Sequence, residues 1–353
     1  MLRACALVCK SWLPFVRGLL YHSLTVENSR LYFSRTPGTL GPATLLHRSH
    51  LLMFTRSLTI DVIDEFAATI SLIAEGINHQ EYVRISDFLS ILAHTAGLRH
   101  LRLSVFWPHK DRCSFEPSTL DWLSSLGLPM EVLDLKYGRP LASPLVYDLV
   151  RVWPTIKALR ADTNYGKPVP LRPTLQLREL RLPITSLATV INWFLPPPPP
   201  FDRSNLQILE LYEIPEDGRA ILSPHGPNVS SLTLTRQPVF GLAELFTKLE
   251  ELVIKGPFWS RPLPTLPKTL KHIRLQVHAF MSDSVIPAIA QGLSGLPNLR
   301  MLSIEGALTP DKYYPTLREA CQRHGVKILV NSVDPSVMGT TVSTCIESSV
   351  PLE

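Results

Sequence analysis

The chain has 353 residues, which is enough for one elongated domain or two compact ones. Hydrophobic residues make up 45% and charged residues 18%, a balance typical of a folded protein and not of a disordered one. The net charge of +5 is mild and no dense cluster of Lys and Arg occurs, so we expect no nucleic-acid partner. No uninterrupted apolar run reaches about 20 residues, so we expect no membrane-spanning helix.

The cysteines are five in number, scattered along the chain and without a CxxC pair. This usage indicates reduced thiols, so we expect a cytoplasmic or nuclear protein without a disulfide framework. Cys5 and Cys9 are four residues apart, but no further Cys or His accompanies them, which argues against a metal site. No glycine-rich phosphate loop and no dinucleotide motif occurs, so we expect no cofactor.

The first 26 residues, MLRACALVCKSWLPFVRGLLYHSLTV, predict an apolar helix followed by a strand. Leu2, Cys5, Cys9, Trp12 and Leu13 follow the spacing of a helical stripe. A lysine interrupts the apolar run and large residues stand where a cleavage site needs small ones, which argues against a secretory signal. Two interpretations remain at this point: a helix in the core of the protein, or a helix that docks onto a partner.

The next segments predict a second strand and a helical insertion. FTRSLTI, at Phe54–Ile60, is similar to the earlier YHSLTV and is therefore expected to form the next strand. Residues 63–96 then separate this strand from the regular part of the chain, and we expect helix there.

From Leu98 onward, the pattern L-x-x-L-x-L occurs nine times, with another apolar residue in place of a leucine in six of the copies. The central apolar residue of each copy is Leu101, Leu133, Leu159, Leu180, Leu209, Leu232, Leu252, Ile273 and Leu302. The copies are 20 to 32 residues apart, close to the period of a leucine-rich repeat. Alternation at the fourth and sixth positions buries one face of a short strand, and a single repeat cannot cover that face. The pattern therefore predicts stacked parallel strands.

Several segments between the repeats predict helices. PSTLDWLSSLG has Ser118 as an expected N-cap and Gly127 as a stop, and SPLVYDLVRVWP begins with Ser-Pro and ends at a proline. Residues 309–325 predict a closing helix, and VKILV predicts a last strand.

Over about residues 50–330 the chain resembles leucine-rich-repeat proteins. The resemblance implies an α/β solenoid in which a curved parallel sheet carries helices and extended segments on its convex side. The asparagine that commonly follows each strand is missing, so we expect an irregular solenoid. We divide the chain into a short helical part at residues 1–22, the solenoid at residues 23–330 and a polar C-terminal tail at residues 331–353.

Strand alternation also predicts which side chains face a partner on the concave face. In each repeat, the residue between the fourth and sixth positions must point away from the core. In order these are Arg102, Asp134, Arg160, Arg181, Glu210, Thr233, Val253, Arg274 and Ser303. One interpretation is a solvated sheet face on which Asp134 pairs with its flanking arginines. The other is a binding site for an acidic or phosphorylated segment, which arginines hold by paired hydrogen bonds.

No motif of an enzyme is present. The chain lacks G-x-S-x-G, H-E-x-x-H and the phosphate-binding loops. Cys321 and His324 lie on one predicted helix, whereas a nucleophile and its base normally come from separate elements. We therefore expect a protein without catalytic activity.

The opening stretch resembles the second half of an F-box, in the form common in fungal F-box proteins. The features that match are LxxCALVCKSW, a helix to Leu20 and the strand YHSLTV. The resemblance implies docking to an adaptor of the Skp family within a cullin-based (SCF) ubiquitin ligase, with the repeats holding a protein substrate. The adaptor-facing or hairpin-core positions that it implies are Leu2, Leu7, Val8, Cys9 and Trp12.

A full F-box begins with a leucine-proline segment and a first helix, and the sequence starts after both. We therefore expect a truncated F-box and weak or no adaptor binding by the chain as it stands. The alternative function is an adaptor-independent leucine-rich-repeat scaffold or inhibitor that binds its partner through the repeats alone.

Overall fold

The computed structural model describes residues 13–26, 39–40, 42–63, 83–106, 114–137, 143–162, 165–170, 172–185, 187–197, 204–215, 217–236, 241–256, 265–277, 285–306 and 310–331. The chain divides into two compact units. Unit 1 comprises Met1–Leu234 with Glu244–Leu249, and unit 2 comprises Thr235–Ala243 with Glu250–Glu353. Each unit has an α/β fold built on a parallel sheet.

Unit 1 contains the first ten strands in the described part of the chain. Their bounds are β1 Ser23–Val26, β2 Thr39–Leu40, β3 Ser57–Ile63, β4 Val83–Arg84, β5 His100–Phe106, β6 Val132–Tyr137, β7 Ala158–Asp162, β8 Glu179–Leu182, β9 Ile208–Leu211 and β10 Ser231–Leu234. Across the sheet the order is β10-β9-β8-β7-β6-β5-β3-β1-β2, with β4 beside β3. Every one of these neighbouring pairs is parallel.

Parallel strands need return segments, and helices supply many of them in unit 1. The helices are α1 Leu13–Leu20, α2 Pro42–His47, α3 Ile85–Ala93, α4 Pro117–Ser125, α5 Leu145–Val152, α6 Ala188–Phe194 and α7 Gly218–Leu222, with 3₁₀ turns at Ser49–Phe54 and Gly226–Asn228. The described residues between β7 and β8 form no helix, so this return is extended. The expectation that helices and extended segments both connect the strands is confirmed.

The leucine pattern places the core on one face of the sheet. The second and fourth residues of β5 to β10 are all at most 1% exposed. These residues are Leu101, Leu103, Leu133, Leu135, Leu159, Ala161, Leu180, Leu182, Leu209, Leu211, Leu232 and Leu234. The first and third residues of each of these strands, and the fifth where there is one, point to the opposite side, here called the open face.

An aromatic cluster fills the core of unit 1 beneath α5 and α6. The ring of Tyr147 lies 4.7 Å from that of Trp193 in an edge-on arrangement and 5.5 Å from that of Phe194 in a stacked one. Trp193 donates its indole N–H to the carbonyl of Val169 at 2.9 Å, so its polar atom is satisfied. The cluster therefore packs these two return helices against each other.

Unit 2 contains four more described strands and two helices. The strands are β11 Glu251–Ile254, β12 His272–Val277, β13 Met301–Gly306 and β14 Lys327–Asn331; the helices are α8 Val285–Gly292 and α9 Pro310–Arg323, with a 3₁₀ turn at Leu293–Gly295. The order is β14-β13-β12-β11, all parallel. The central repeat residues Leu252, Ile273 and Leu302 are buried. The strands predicted at all nine repeats are therefore confirmed, as is VKILV as the last strand.

Two helix C-termini agree with the prediction from the sequence, and one helix N-terminus differs from it. Gly127 after α4 and Gly325 after α9 have φ of 56° and 67°, the left-handed conformation that glycine adopts at helix C-termini. The N-cap of α4 is Glu116 and not Ser118, because Pro117 occupies the first helical position, where its fixed φ suits the helix. Of the insertion expected at residues 63–96, the described part contains β4 and α3. No helix in the described ranges has the length and apolar character to cross a membrane.

Candidate partner-binding face

Five charged side chains form one row on the open face of unit 1. The row, here called the polar row, consists of Arg102, Asp134, Arg160, Arg181 and Glu210, one from each strand from β5 to β9. Each residue is directly opposite the next in the parallel register. Neighbouring strands are about 4.8 Å apart, so each side chain is within reach of the next. The structure thus brings together the predicted partner-facing residues of this unit.

The first two members of the polar row form an ion pair. Arg102 Nε donates to Asp134 Oδ2 at 2.8 Å, and Asp134 is only 6% exposed. The interpretation that Asp134 pairs with both flanking arginines is correct for Arg102. Arg160, on the other side, forms its ion pair with a different carboxylate.

That carboxylate is Glu179, which lies two residues before Arg181 in β8. Arg160 donates to it twice, Nε to Oε1 at 2.7 Å and Nη2 to Oε2 at 3.3 Å. Arg181 Nε donates to the same Oε1 at 2.5 Å. Burial by itself raises the pKa of Glu179, but the hydrogen bond from Arg160 and the positive charges of both arginines outweigh it and hold that pKa below its ordinary value. Glu179 is therefore ionised and shared by the two arginines.

With Glu179 included, the charges of the polar row balance. Arg181 Nη1 also lies 3.7 Å from Glu210 Oε2, and Glu210 is 5% exposed. Three arginines therefore stand against Asp134, Glu179 and Glu210. One residue from each strand gives three arginines and two acids, and Glu179, a second residue from β8, supplies the third acid. The arginine side chains keep 32–38% of their surface exposed, so the row remains accessible.

Sequence reasoning missed His100 as well as Glu179. Both are first residues of their strands and share the open face with the polar row. Each lies two residues before a member of the row, Arg102 or Arg181, so the same strand alternation could have identified it. The Nε2 atom of His100 is buried and has no hydrogen-bond partner within the described part of the chain. Burial lowers the pKa of His100, and the positive charge of Arg160 lowers it further. His100 is therefore neutral at pH 7.

In unit 2, the predicted residue Arg274 is also held by a carboxylate. Its Nε and Nη2 lie 2.6 and 2.5 Å from Glu305 Oε1 on the neighbouring strand, and Gln276 donates to Glu305 Oε2 at 2.9 Å. On the same strands, His272 and Ser303 are joined by a hydrogen bond of 2.9 Å. The open faces of the two units thus share one chemistry, arginine paired with a partly buried carboxylate.

Side chains with catalytic potential occur at two places in the described structure. Burial raises the pKa of the Cys321 thiol, which disfavours the reactive thiolate, and His324, in the turn that follows the same helix, is exposed. In unit 1, His225 Nδ1 lies 2.7 Å from Ser204 Oγ beside a cleft of about 550 Å³. Among the described residues that line this cleft, none carries a carboxylate that could orient the imidazole. Asn228 donates to the Ser204 carbonyl at 2.8 Å. The contacts of His225 and Asn228 with Ser204 therefore stabilise the segment before β9.

The expected adaptor-binding residues Leu2, Leu7, Val8, Cys9 and Trp12 lie outside the described residues. The parts of that region that the structure describes are α1 and β1, and β1 pairs in parallel with β3. The helix ending at Leu20 and the two strands expected from YHSLTV and FTRSLTI are confirmed. In the described ranges, no group of three or more His, Cys, Asp or Glu side chains is placed to hold a metal ion.

No protein-family model matches the chain, and a search of curated proteins finds no match.

Proposed function

We propose that this chain is a protein-interaction module of the leucine-rich-repeat type, with the open face of its parallel sheet as the surface that holds a protein partner. The observation that carries the proposal is the polar row. Five successive strands each contribute one charged side chain at the same register, and buried carboxylates fix the arginines in place. A stacked-repeat sheet of this kind offers an extended, ordered surface that suits another protein.

The charge balance of the row favours a partner of mixed charge over a phosphorylated one. Arg102, Arg160 and Arg181 each already bind a carboxylate, so a phosphate group would have to compete with a partly buried internal partner. A partner with alternating acidic and basic residues instead adds hydrogen bonds to the exposed edges of these pairs. Charge patterns of this kind determine partner choice and association rate more than affinity.

The biological setting that we propose is substrate recognition for a cullin-based ubiquitin ligase. Support for it comes from the F-box resemblance of residues 1–26, in which Trp12 is one of the adaptor-facing or hairpin-core positions, and from the order of a helix, a strand and then repeats. In the alternative, a scaffold or inhibitor without adaptor docking, the open face has the same role but no ligase is recruited. Binding of a Skp-family adaptor, measured directly, separates the two.

The experiment first captures the partner and then alters the charge pattern of the row without removing the ion pair. Lys136 on β6 is exposed and belongs to the open face, so a photo-crosslinking amino acid at this position captures a protein bound there. The double variant Arg102→Glu/Asp134→Arg keeps an ion pair and the net charge, but inverts the pattern that the partner meets. We expect at least a tenfold loss of affinity for the captured partner with little loss of stability.

A matched charge swap elsewhere in unit 1 provides the control. Arg219 on α7 and Glu244 form an exposed ion pair away from the strands, and Arg219→Glu/Glu244→Arg inverts it in the same way. This variant should keep the affinity of the unaltered chain. If the swap in the polar row leaves both affinity and its salt dependence unchanged, the partner binds elsewhere and the proposal is wrong.

A further inference from the structure

The last strand of unit 2 is paired on one side within the described structure. β14 pairs in parallel with β13 and stands at the end of the strand order. Val330 occupies the register position at which Ile304 and Leu275 are 1% and 2% exposed, yet Val330 is 37% exposed. Leu329, on the other face, is also 37% exposed. The buried face of the sheet therefore continues to an edge at which aliphatic side chains meet solvent.

The backbone N–H and C=O groups of β14 point alternately toward β13 and away from it. Two residues therefore present hydrogen-bonding groups at this edge. The Lys327 N–H donates to the carbonyl of Arg300 at 2.8 Å, which fixes the phase of the ladder with β13. In a parallel pair, every second residue bonds the neighbouring strand through both its N–H and its C=O. Leu329 is therefore in phase with Lys327, and the N–H and C=O groups of Ile328 and Val330 point outward.

Features that commonly protect an edge strand are few in β14. Its sequence, KILVN, contains no proline and no glycine, and its single charge lies at its first residue. Edge strands that lack proline, bulges and inward-pointing charges are templates for pairing with another strand. The short length of five residues limits the strength of such pairing but does not block it.

We propose that β14 pairs antiparallel with β14 of a second copy of this chain, with Leu329 at the twofold axis. In this register Ile328 of each copy is opposite Val330 of the other, and these residues exchange four N–H···O=C hydrogen bonds through groups that now point outward. Leu329 faces its own copy in the closely spaced position. Each Lys327 is opposite an asparagine, Asn331, so like charges do not meet.

Self-complementarity favours a second copy over an unrelated strand. The same register joins aliphatic side chains to aliphatic side chains on both faces of the sheet, and it satisfies every outward backbone group of Ile328 and Val330. The contact is small, below the roughly 1,200 Å² of a standard stable interface, so we expect a reversible dimer with a Kd of about 10–100 µM. Association of this kind builds a twofold-symmetric pair of open faces, which a repetitive or dimeric partner binds with increased avidity.

The test is sedimentation equilibrium of the full chain between about 1 and 300 µM, a range that spans the expected Kd. The unaltered chain should change from monomer to dimer across this range. Leu329→Glu and Leu329→Lys each place like charges at the twofold axis, so each variant alone should remain monomeric. An equimolar mixture of the two places opposite charges there and should recover the dimer.

Two further variants separate loss of pairing from loss of fold. Val330→Pro removes an N–H that points outward, so it should abolish the dimer while circular dichroism and the melting temperature stay close to those of the unaltered chain. Met53→Glu replaces another exposed apolar residue, 59% exposed and in unit 1, and should leave the dimer intact. A monomer across the whole concentration range overturns the proposal. So does a dimer that survives Leu329→Glu, or a mixture of the two charged variants that stays monomeric.

Discussion

Replacing Glu179 by glutamine tests whether a shared carboxylate orders the polar row. The side chain of Glu179 is 11% exposed and those of its partners Arg160 and Arg181 are 32% and 38% exposed. Hydrogen bonds to charged groups contribute about 1.5–3 kcal/mol when buried, whereas exposed ion pairs contribute about 0.2–1 kcal/mol. The partial exposure of both arginines places each interaction between these limits, at about 1 kcal/mol. We expect Glu179→Gln to lower the free energy of unfolding by about 2 kcal/mol at pH 7.

The pH dependence gives this prediction a second readout. Because the pKa of Glu179 is lower in the folded chain than its ordinary value of 4.5, its stabilising effect is present above pH 4.5 and is lost as pH falls through the folded-state pKa. The difference between the unaltered chain and Glu179→Gln should therefore be constant from pH 7 to about pH 5 and should shrink below about pH 4.5. Urea unfolding followed by circular dichroism at several pH values measures it.

Glu131 provides the matched control. It also has two basic neighbours, Lys157 at 3.2 Å and Arg99 at 3.7 Å, but its side chain is 37% exposed and theirs are 52% and 59% exposed. Glu131→Gln should cost less than about 0.5 kcal/mol. If the two glutamine variants lose equal stability, or if the effect of Glu179→Gln persists unchanged to pH 3, then Glu179 does not order the row in the way described.

Three further changes test the fold and the proposed docking. Leu180→Ala should lower the free energy of unfolding in urea by about 2–5 kcal/mol, because Leu180 has no exposed surface. Arg178→Ala, at an exposed position of the same segment, should change it by less than about 0.5 kcal/mol. Gly127→Ala should cost about 1–2 kcal/mol through backbone strain alone, because its φ is 56° and no atom lies within 4 Å of an added Cβ; a neutral result would contradict the helix-ending role of this glycine. Trp12→Ala, in a chain extended by a complete first F-box helix, should abolish adaptor binding in a pull-down while the melting temperature of the repeats is kept. Unchanged adaptor affinity would make Trp12 an ordinary core residue.

The strands could be predicted from the sequence because two independent patterns, one within each repeat and one between repeats, indicate the same strands. Alternation within each repeat determines which residues are buried, and the recurrence of 20 to 32 residues requires the strands to stack in parallel. Leu180 satisfies both conditions, since its neighbours in register are the equivalent leucines of the adjoining repeats, Leu159 and Leu209. A helix start has only local determinants, and at α4 a serine and a glutamate compete as N-cap. Pro117 favours the first helical position because its fixed φ suits a helix, and this makes Glu116 the N-cap. A comparison of the N-cap preferences of Ser and Glu alone does not take this effect into account.

The ion pairs could not be predicted from one residue per repeat, because side chains on an open sheet face choose among several neighbours. Arg160 has Asp134 directly opposite on one side and Arg181 directly opposite on the other. Two of its hydrogen bonds go instead to Glu179, which is diagonal to it. Asp134 already binds Arg102, and a longer side chain at position 179 reaches the diagonal position more readily than an aspartate would.

The direct opposition of Arg160 and Arg181 could still have indicated an acid nearby. Like charges directly opposite on adjacent strands destabilise a sheet, so such a pair persists where a carboxylate lies between the two guanidinium groups. Ala158 is the register partner of Glu179, and its short side chain leaves room for the carboxylate to accept from both arginines. In β8 the requirement is met within the strand itself, because Glu179 and Arg181 are two residues apart and therefore share a face. An arginine pair predicted at one register position is thus a reason to search the same face, two residues away, for the acid that makes it stable.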